Sequence, residues 1–294
     1  MIRPMPIMLL LLSVSSTARA ESTTPDDWSY LDNGQIRLGV KKSSGAAIAW
    51  LSQSGSTRNL INHFDRGRLI QQSYYGDKDG SLWNQKPWRW NPVQGGDWRG
   101  NPATVLELKI DRTTLYAKTQ PRHWATGQLL PDVTMEQWID LADRIAHVRY
   151  RMTYTGTHAH AKADQEIPAF FTEPDLDTLV LYDGNAPWTN GPLSRSKPGW
   201  PNESRKIAEH WAAYVDEKDF GVGAYVPAAD RLTCYRYVEG KASCSYFAPI
   251  TTFAITPGFV FDYDVYLTVG TSAAIRDSFR DISKMRPATR PARE

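Results

Sequence analysis

The feature that most restricts this chain is a strict two-residue alternation in two neighbouring segments. From Val133 to Leu141, Val133, Met135, Ile139 and Leu141 fall on one side, and Thr134, Glu136, Trp138 and Asp140 on the other. From Ile145 to Tyr154, Ala146, Val148, Tyr150, Met152 and Tyr154 alternate with His147, Arg149, Arg151 and Thr153. A period of two belongs to a strand with one buried face, whereas a helix would scatter these side chains around its circumference. The polar ladder of the second segment either faces solvent, which is the expectation, or lines a groove.

Similar but shorter signals recur along the chain. Strands are predicted at 36–40, 46–51, 70–75, 104–110, 114–119, 166–171, 178–182, 211–215, 221–226, 232–237, 242–246, 251–255 and 260–269, after a polar leader. One helix is predicted near the C-terminus, capped by Thr271 or Ser272 and striped by Ile275, Phe279 and Ile282. No Pro/Ser/Gly linker divides residues 27–285, and no repeat is visible, so the expectation is an all-β single domain spanning 21–284. Residues 285–294 are expected to form a disordered tail.

The first twenty residues read as a signal peptide. Arg3 gives a positive start, Ile7 to Val14 an apolar run, and Ala18-Arg19-Ala20 a small-residue cleavage site. That run is far shorter than the roughly 20 residues of a membrane span. The mature chain is thus expected to be exported, periplasmic or extracellular, with no membrane span. Removing Arg3 and Arg19 from a chain of formal charge +2 leaves it near neutrality. Nucleic-acid binding needs a basic footprint that releases counterions, and none is present. The same balance disfavours a strongly anionic polysaccharide. The only cysteines, Cys234 and Cys244, flank a predicted hairpin tip, and in an exported protein a disulfide between them is plausible.

The stretch from Asn59 to Trp98 concentrates flat aromatics among amides, carboxylates and guanidinium groups. Such a mixture suits sugars, whose C–H faces lie on rings while their hydroxyls seek two-way hydrogen-bonding partners. The substrate-binding candidates are Arg68, Gln72, Tyr74, Trp88, Trp90, Gln94 and Trp98. The catalytic candidates are Asp97, Glu166, Asp65, Glu209 and His210. Asp97 follows two glycines, so it either faces a ligand or caps a turn. Glu166 enters a strand beside aromatics, as an acid/base carboxylate or a salt-bridge partner. Asp65 and Arg68 pair a carboxylate with a forked guanidinium, for a sugar or for each other. Glu209 and His210 are sequence neighbours, and in a strand they would face opposite sides. His158 and His160 share a face but lack further ligands, so no metal is assigned. A Ca²⁺ ion bridging Asp65 or Asp97 to a sugar is left open, and no other cofactor is implied.

The order of these segments resembles the galactose mutarotase-like β-supersandwich superfamily. IRLGVKKSSGAAIAWLSQSGSTRNLIN, residues 36–62, looks like its first hairpin, and NPVQGGDW, residues 91–98, falls where aldose epimerases carry a loop ending in His-Gly-Gly. VRYRMTYTGT resembles their strand leading to a Thr-Asn-Thr-like turn, and DQEIPAFF, residues 164–171, falls where their second catalytic histidine precedes a Tyr-Phe pair. FGVGAYVP and ITPGFVFDYDVYLTV are similar to the late strands. The resemblance spans nearly the whole mature chain and implies a β-supersandwich of antiparallel sheets with a sugar ligand. Gln94 and Gln165 or Glu166 stand where the histidines would, and glutamine supplies neither acid nor base. The expectation is therefore an exported carbohydrate-active enzyme acting on glycosidic bonds of a mainly neutral oligo- or polysaccharide by carboxylate chemistry. The alternatives are a non-catalytic carbohydrate-binding protein, or a polysaccharide lyase or epimerase with an altered acid/base pair.

Overall fold

The computed structural model describes residues 27–285. The expected signal peptide and the tail beyond Met285 lie outside the described residues, and Met285 itself ends the C-terminal helix. The alternating segments become the strands Val133–Ala142 and Ile145–Tyr154, paired antiparallel from Val133↔Tyr154 to Ala142↔Ile145. Their apolar sides are buried in the main core. Their polar sides form a cross-strand ladder instead of bare solvated charge. His147 lies 2.6 Å from Asp264, Arg151 lies 2.9 Å from Asp262, and the Arg149 guanidinium stands 4.1 Å over the Trp138 ring.

Two antiparallel sheets enclose the core. The ten-stranded first sheet has a main path, in spatial order, of Trp28–Asp32, Ile36–Lys41, Ala47–Gln53, Ile70–Ser73, His160–Thr172, Cys244–Ile255, Arg231–Tyr237 and Glu203–Lys206. The nine-stranded second sheet runs Ser194–Ser196, Thr178–Leu181, Trp211–Val215, Phe220–Tyr225, Val260–Thr271, Ile145–Tyr154, Val133–Ala142, Thr114–Gln120 and Thr104–Ile110. One hydrophobic cluster, with Leu38, Ile48, Ile70 and Phe247 from the first sheet and Met135, Val148, Val222 and Val265 from the second, lies between them. Both sheets also bury part of their opposite faces. On the second sheet, Ile275 and Phe279 of the helix Ser272–Met285 cover Trp211 and Tyr225. Thr271 caps that helix by accepting the Ala274 N–H at 3.3 Å.

Three expectations are corrected here. The polar leader contains a strand, Trp28–Asp32, whose Tyr30 ring lies over the Cβ-less Gly39. The segments 242–246 and 251–255 are one continuous strand, Cys244–Ile255, which the interrupting Ala248-Pro249-Ile250 does not break. The disulfide does not form. Cys234 sits opposite Phe247 in the inter-sheet core, and Cys244 sits opposite Tyr237 on the other face, so both are free buried thiols.

Candidate functional site

The strand His160–Thr172 is central in the first sheet, and its ladder slips against both neighbours between Glu166 and Phe170. Pro168 has no N–H to give a ladder, so an irregularity here is expected. The slip resets the side-chain parity. Glu166, Ala169 and Phe171 thereby share the face turned away from the second sheet, while Ile167 and Phe170 point into the core. A regular strand would have sent Glu166 and Phe171 to opposite sides.

On that outer face Glu166 is held by two phenols. Tyr75 Oη donates to its Oε1 at 2.9 Å and Tyr246 Oη donates to the same oxygen at 2.6 Å. Among the described residues, both hydrogen bonds to this carboxyl fall on Oε1. Tyr75 is fixed in turn by Gln165, whose side-chain amide accepts its N–H at 2.7 Å and donates to its carbonyl at 2.9 Å. Burial raises the Glu166 pKa above the ordinary carboxylate value, and the two hydroxyls oppose that rise only in part. Burial and the adjacent Glu166 charge push the Tyr75 and Tyr246 phenols well above their usual value, so both remain protonated donors.

Aromatic side chains extend the floor. Tyr246 lies 4.6 Å from Phe171 and 4.5 Å from Tyr235, ring centre to ring centre. Trp200 stands edge-on to Tyr235 at 4.9 Å and to Tyr237 at 5.8 Å, with 64% of its surface exposed. It thus presents an open indole at the rim. Arg89 approaches the Tyr75 ring to 5.8 Å. Arg68 is paired with Asp65 and stands 5.2 Å over the Phe64 ring. It also bears on Cys244, where burial pushes the thiol up and this guanidinium opposes it. Asp65 accepts the N–H groups of Gly67 and Arg68 at 2.9 and 3.0 Å, closing the turn that presents Arg68.

Of the residues expected from the sequence, the structure thus gathers Glu166, Asp65 and Arg68 on one face and removes several others. Asp97 is buried in its own turn, where its carboxylate accepts Arg99 N, Asn101 N and Asn101 Nδ2 at 2.6–3.0 Å. Glu209 is fully buried at the helix interface. It is clasped by Arg276 Nε and Nη2 at 2.9 and 2.6 Å and accepts Trp188 N and Trp211 Nε1. His210 adopts a positive φ of 59° in a connection and donates from Nδ1 to the Ala229 carbonyl at 2.7 Å. Gln94, Gln72 and Tyr74 are interior. Gln94 accepts Gln72 N and donates to Gln137 and Gly45, while Tyr74 donates to Gln72.

The tryptophans divide as well. Trp90 is buried, stacked on His160 at 4.2 Å. Trp98 is exposed, but its indole N–H is tied to Ala125 and Arg99 covers its ring at 4.9 Å. Trp88 is half-buried and packs with Trp83 at 4.8 Å; Trp83 in turn touches Trp124, which lies over Gly67 beside Asp65 and Arg68. The residues missed from sequence were Trp200, Tyr235, Tyr237 and Tyr246. The i, i+2 spacing of Tyr235 and Tyr237 on a predicted strand was the available signal for a shared aromatic face.

No protein-family model matches the sequence, and no curated protein matches it closely. Solved structures do match its shape. A galactose mutarotase-like protein from Lactobacillus casei aligns with a TM-score of 0.55 at 13% identity, over 83% of this chain and 100% of its own. A candidate aldose 1-epimerase from Escherichia coli K12 gives 0.54 at 12%, over 83% and 99%. A galactose mutarotase related enzyme from Lactobacillus acidophilus gives 0.52 at 11%, over 83% and 98%. At such identities the likeness establishes the fold, and it is the galactose mutarotase-like fold that the sequence pattern resembles.

Proposed function

We propose that this chain, built on the galactose mutarotase-like fold, is an exported carbohydrate-active enzyme whose site is the Glu166 cluster on the outer face of the first sheet. One observation carries the reading: a half-buried carboxyl with raised pKa, fixed by two phenols, at the end of an aromatic row that runs through Tyr246 and Tyr235 to an open indole. A carboxyl whose pKa is raised holds its proton to higher pH than an ordinary one, which suits it to protonate a glycosidic oxygen. The reading assigns that role to Glu166, sugar stacking to Trp200 and Tyr235, and hydroxyl recognition to Arg68 and Asp65. The reading gives Asp65 the part of the second carboxyl, whose separation from Glu166 would decide between retention and inversion.

Elimination is less well supported. A lyase needs a base to take the C5 proton, and burial holds the available phenols protonated. A neutral rather than uronate-rich glycan also fits the near-neutral chain. The test is incubation of the purified protein with a panel of neutral and acidic glycans. New reducing ends without ultraviolet-absorbing unsaturated products are expected. Unsaturated products would replace hydrolysis by elimination, and saturable binding without any product would make this a binding protein. Replacing Trp200 by Ala is expected to weaken glycan binding by about 1 kcal/mol, as lost ring stacking does.

A further inference from the structure

Away from Glu166, three potential ligands converge where the strand His160–Thr172 begins. Asp77 comes from the segment after Ile70–Ser73, and His158 and His160 from the turn that enters the long strand. Asp77 Oδ2 lies 3.1 Å from His158 Nε2 and 3.7 Å from His160 Nδ1. One ligand atom from each of the three residues lies within 4.8 Å of the other two. Atoms bound to a common ion at ~2.0–2.2 Å stand at most roughly 4.4 Å apart, so small side-chain adjustments close this triangle around one ion.

The surroundings favour a built site over a chance encounter. His160 is 6% exposed, and its ring is sandwiched by Trp90 at 4.2 Å and flanked by Tyr154 at 5.7 Å. Gly76 abuts it so closely that a Cβ would come within 2.6 Å of Nδ1. The ring's Nδ1 atom faces Asp77, whose N–H lies 3.4 Å away, and its Nε2 atom has no hydrogen-bond partner among the described residues. Leaving a buried polar atom unpaired is costly, so this ring is held in place against a penalty. His158 lies edge-on to His160 at 4.6 Å, on the solvent side, and the Asp79 and Asp132 carboxylates add negative potential at His160.

We propose that Asp77, His158 and His160 bind one divalent transition-metal ion of the zinc class, with solvent completing the coordination. Two imidazole nitrogens and one carboxylate oxygen suit a borderline ion, whereas Ca²⁺ and Mg²⁺ take sets dominated by oxygen. The ion would pin the loop that carries Trp88, Arg89 and Trp90 to the strand that carries Glu166. This role does not depend on the reaction assigned to Glu166.

The experiment uses untagged, chelator-treated protein titrated with Zn²⁺ and, separately, with Ca²⁺ by calorimetry and thermal denaturation. The expected result is one Zn²⁺ per chain with a rise in Tm, and no response to Ca²⁺. His158→Ala, at a solvent-facing position, is expected to fold and to bind Zn²⁺ at least about tenfold more weakly, a loss of the size that follows damage to a metal's ligand environment. His63→Ala, at a half-buried histidine outside the group, is expected to bind as the wild type does. Absent or substoichiometric Zn²⁺ binding, unchanged binding in His158→Ala, or an equal response to Ca²⁺ would each overturn the assignment.

Discussion

The chemistry assigned to Glu166 depends on how its two phenols and its burial balance. Tyr75 and Tyr246 hydrogen-bond the carboxylate form and so lower its proton affinity, while burial raises it by more. Removing one phenol in Tyr246→Phe therefore raises the Glu166 pKa further. For a general acid, activity falls as pH rises through that pKa, so the basic limb of the kcat/KM profile is expected to move to higher pH. A limb that stays put or moves down contradicts the acid role. A second carboxyl gives an independent readout in stability. Glu173 is pushed up to about 7 by burial and by the Asp175 charge. Its folded pKa exceeds its unfolded one, so its contribution is fully present below the unfolded pKa of 4.5 and lost as pH rises through about 7. Glu173→Gln should accordingly raise Tm relative to wild type above neutrality. The difference should shrink toward zero near pH 4, as measured by thermal denaturation across pH. Legibility at this scale followed from what a residue type can signal. Glu166 was legible as an acid beside aromatics, and the structure sets it on Tyr75 and Tyr246. Asp97 was not, because a Gly-Gly-Asp turn looks the same whether its carboxylate caps the turn or meets a ligand.

Among the elements, the strands with clean alternation were legible almost to the residue. Val133–Ala142 and Ile145–Tyr154 depend on local pattern alone. The slip at Ile167-Pro168 was not legible in its consequence. The sequence announces a proline inside a strand, but only the pairing on both sides tells which face Glu166 reaches. The C-terminal helix shows how a charged pair can imitate a site. Glu209 beside His210 suggested catalytic groups, yet its partner Arg276 is distant in sequence and locks it beneath the helix. Arg276→Ala would leave a fully buried carboxylate unpaired and is expected to cost about 3–5 kcal/mol in denaturant unfolding. Replacing both residues together by apolar ones of similar volume is expected to cost far less, and equal losses in the two variants would refute this account of the interface.

For the whole molecule, the galactose mutarotase-like architecture leaves one face of the first sheet free to carry a site while the other face closes the shared core. Trp28, Trp50 and Tyr30 gather at one end of that sheet, and Phe171, Tyr246, Tyr235 and Trp200 near Glu166. Overall class and sugar-type composition were visible in the chain. The identity of the stacking surface was not, because the indoles of the 77–101 loop sort between core, wall and solvent only after the fold is complete. Trp90 sits inside and Trp200, from another loop, stands at the rim. The most direct test is paired measurement of turnover and binding for Glu166→Gln on a glycan that the wild type processes. The account predicts turnover reduced by roughly 10²–10⁴-fold, the range supplied by a positioned general acid, with glycan affinity retained. Unchanged turnover in a folded Glu166→Gln protein would contradict it.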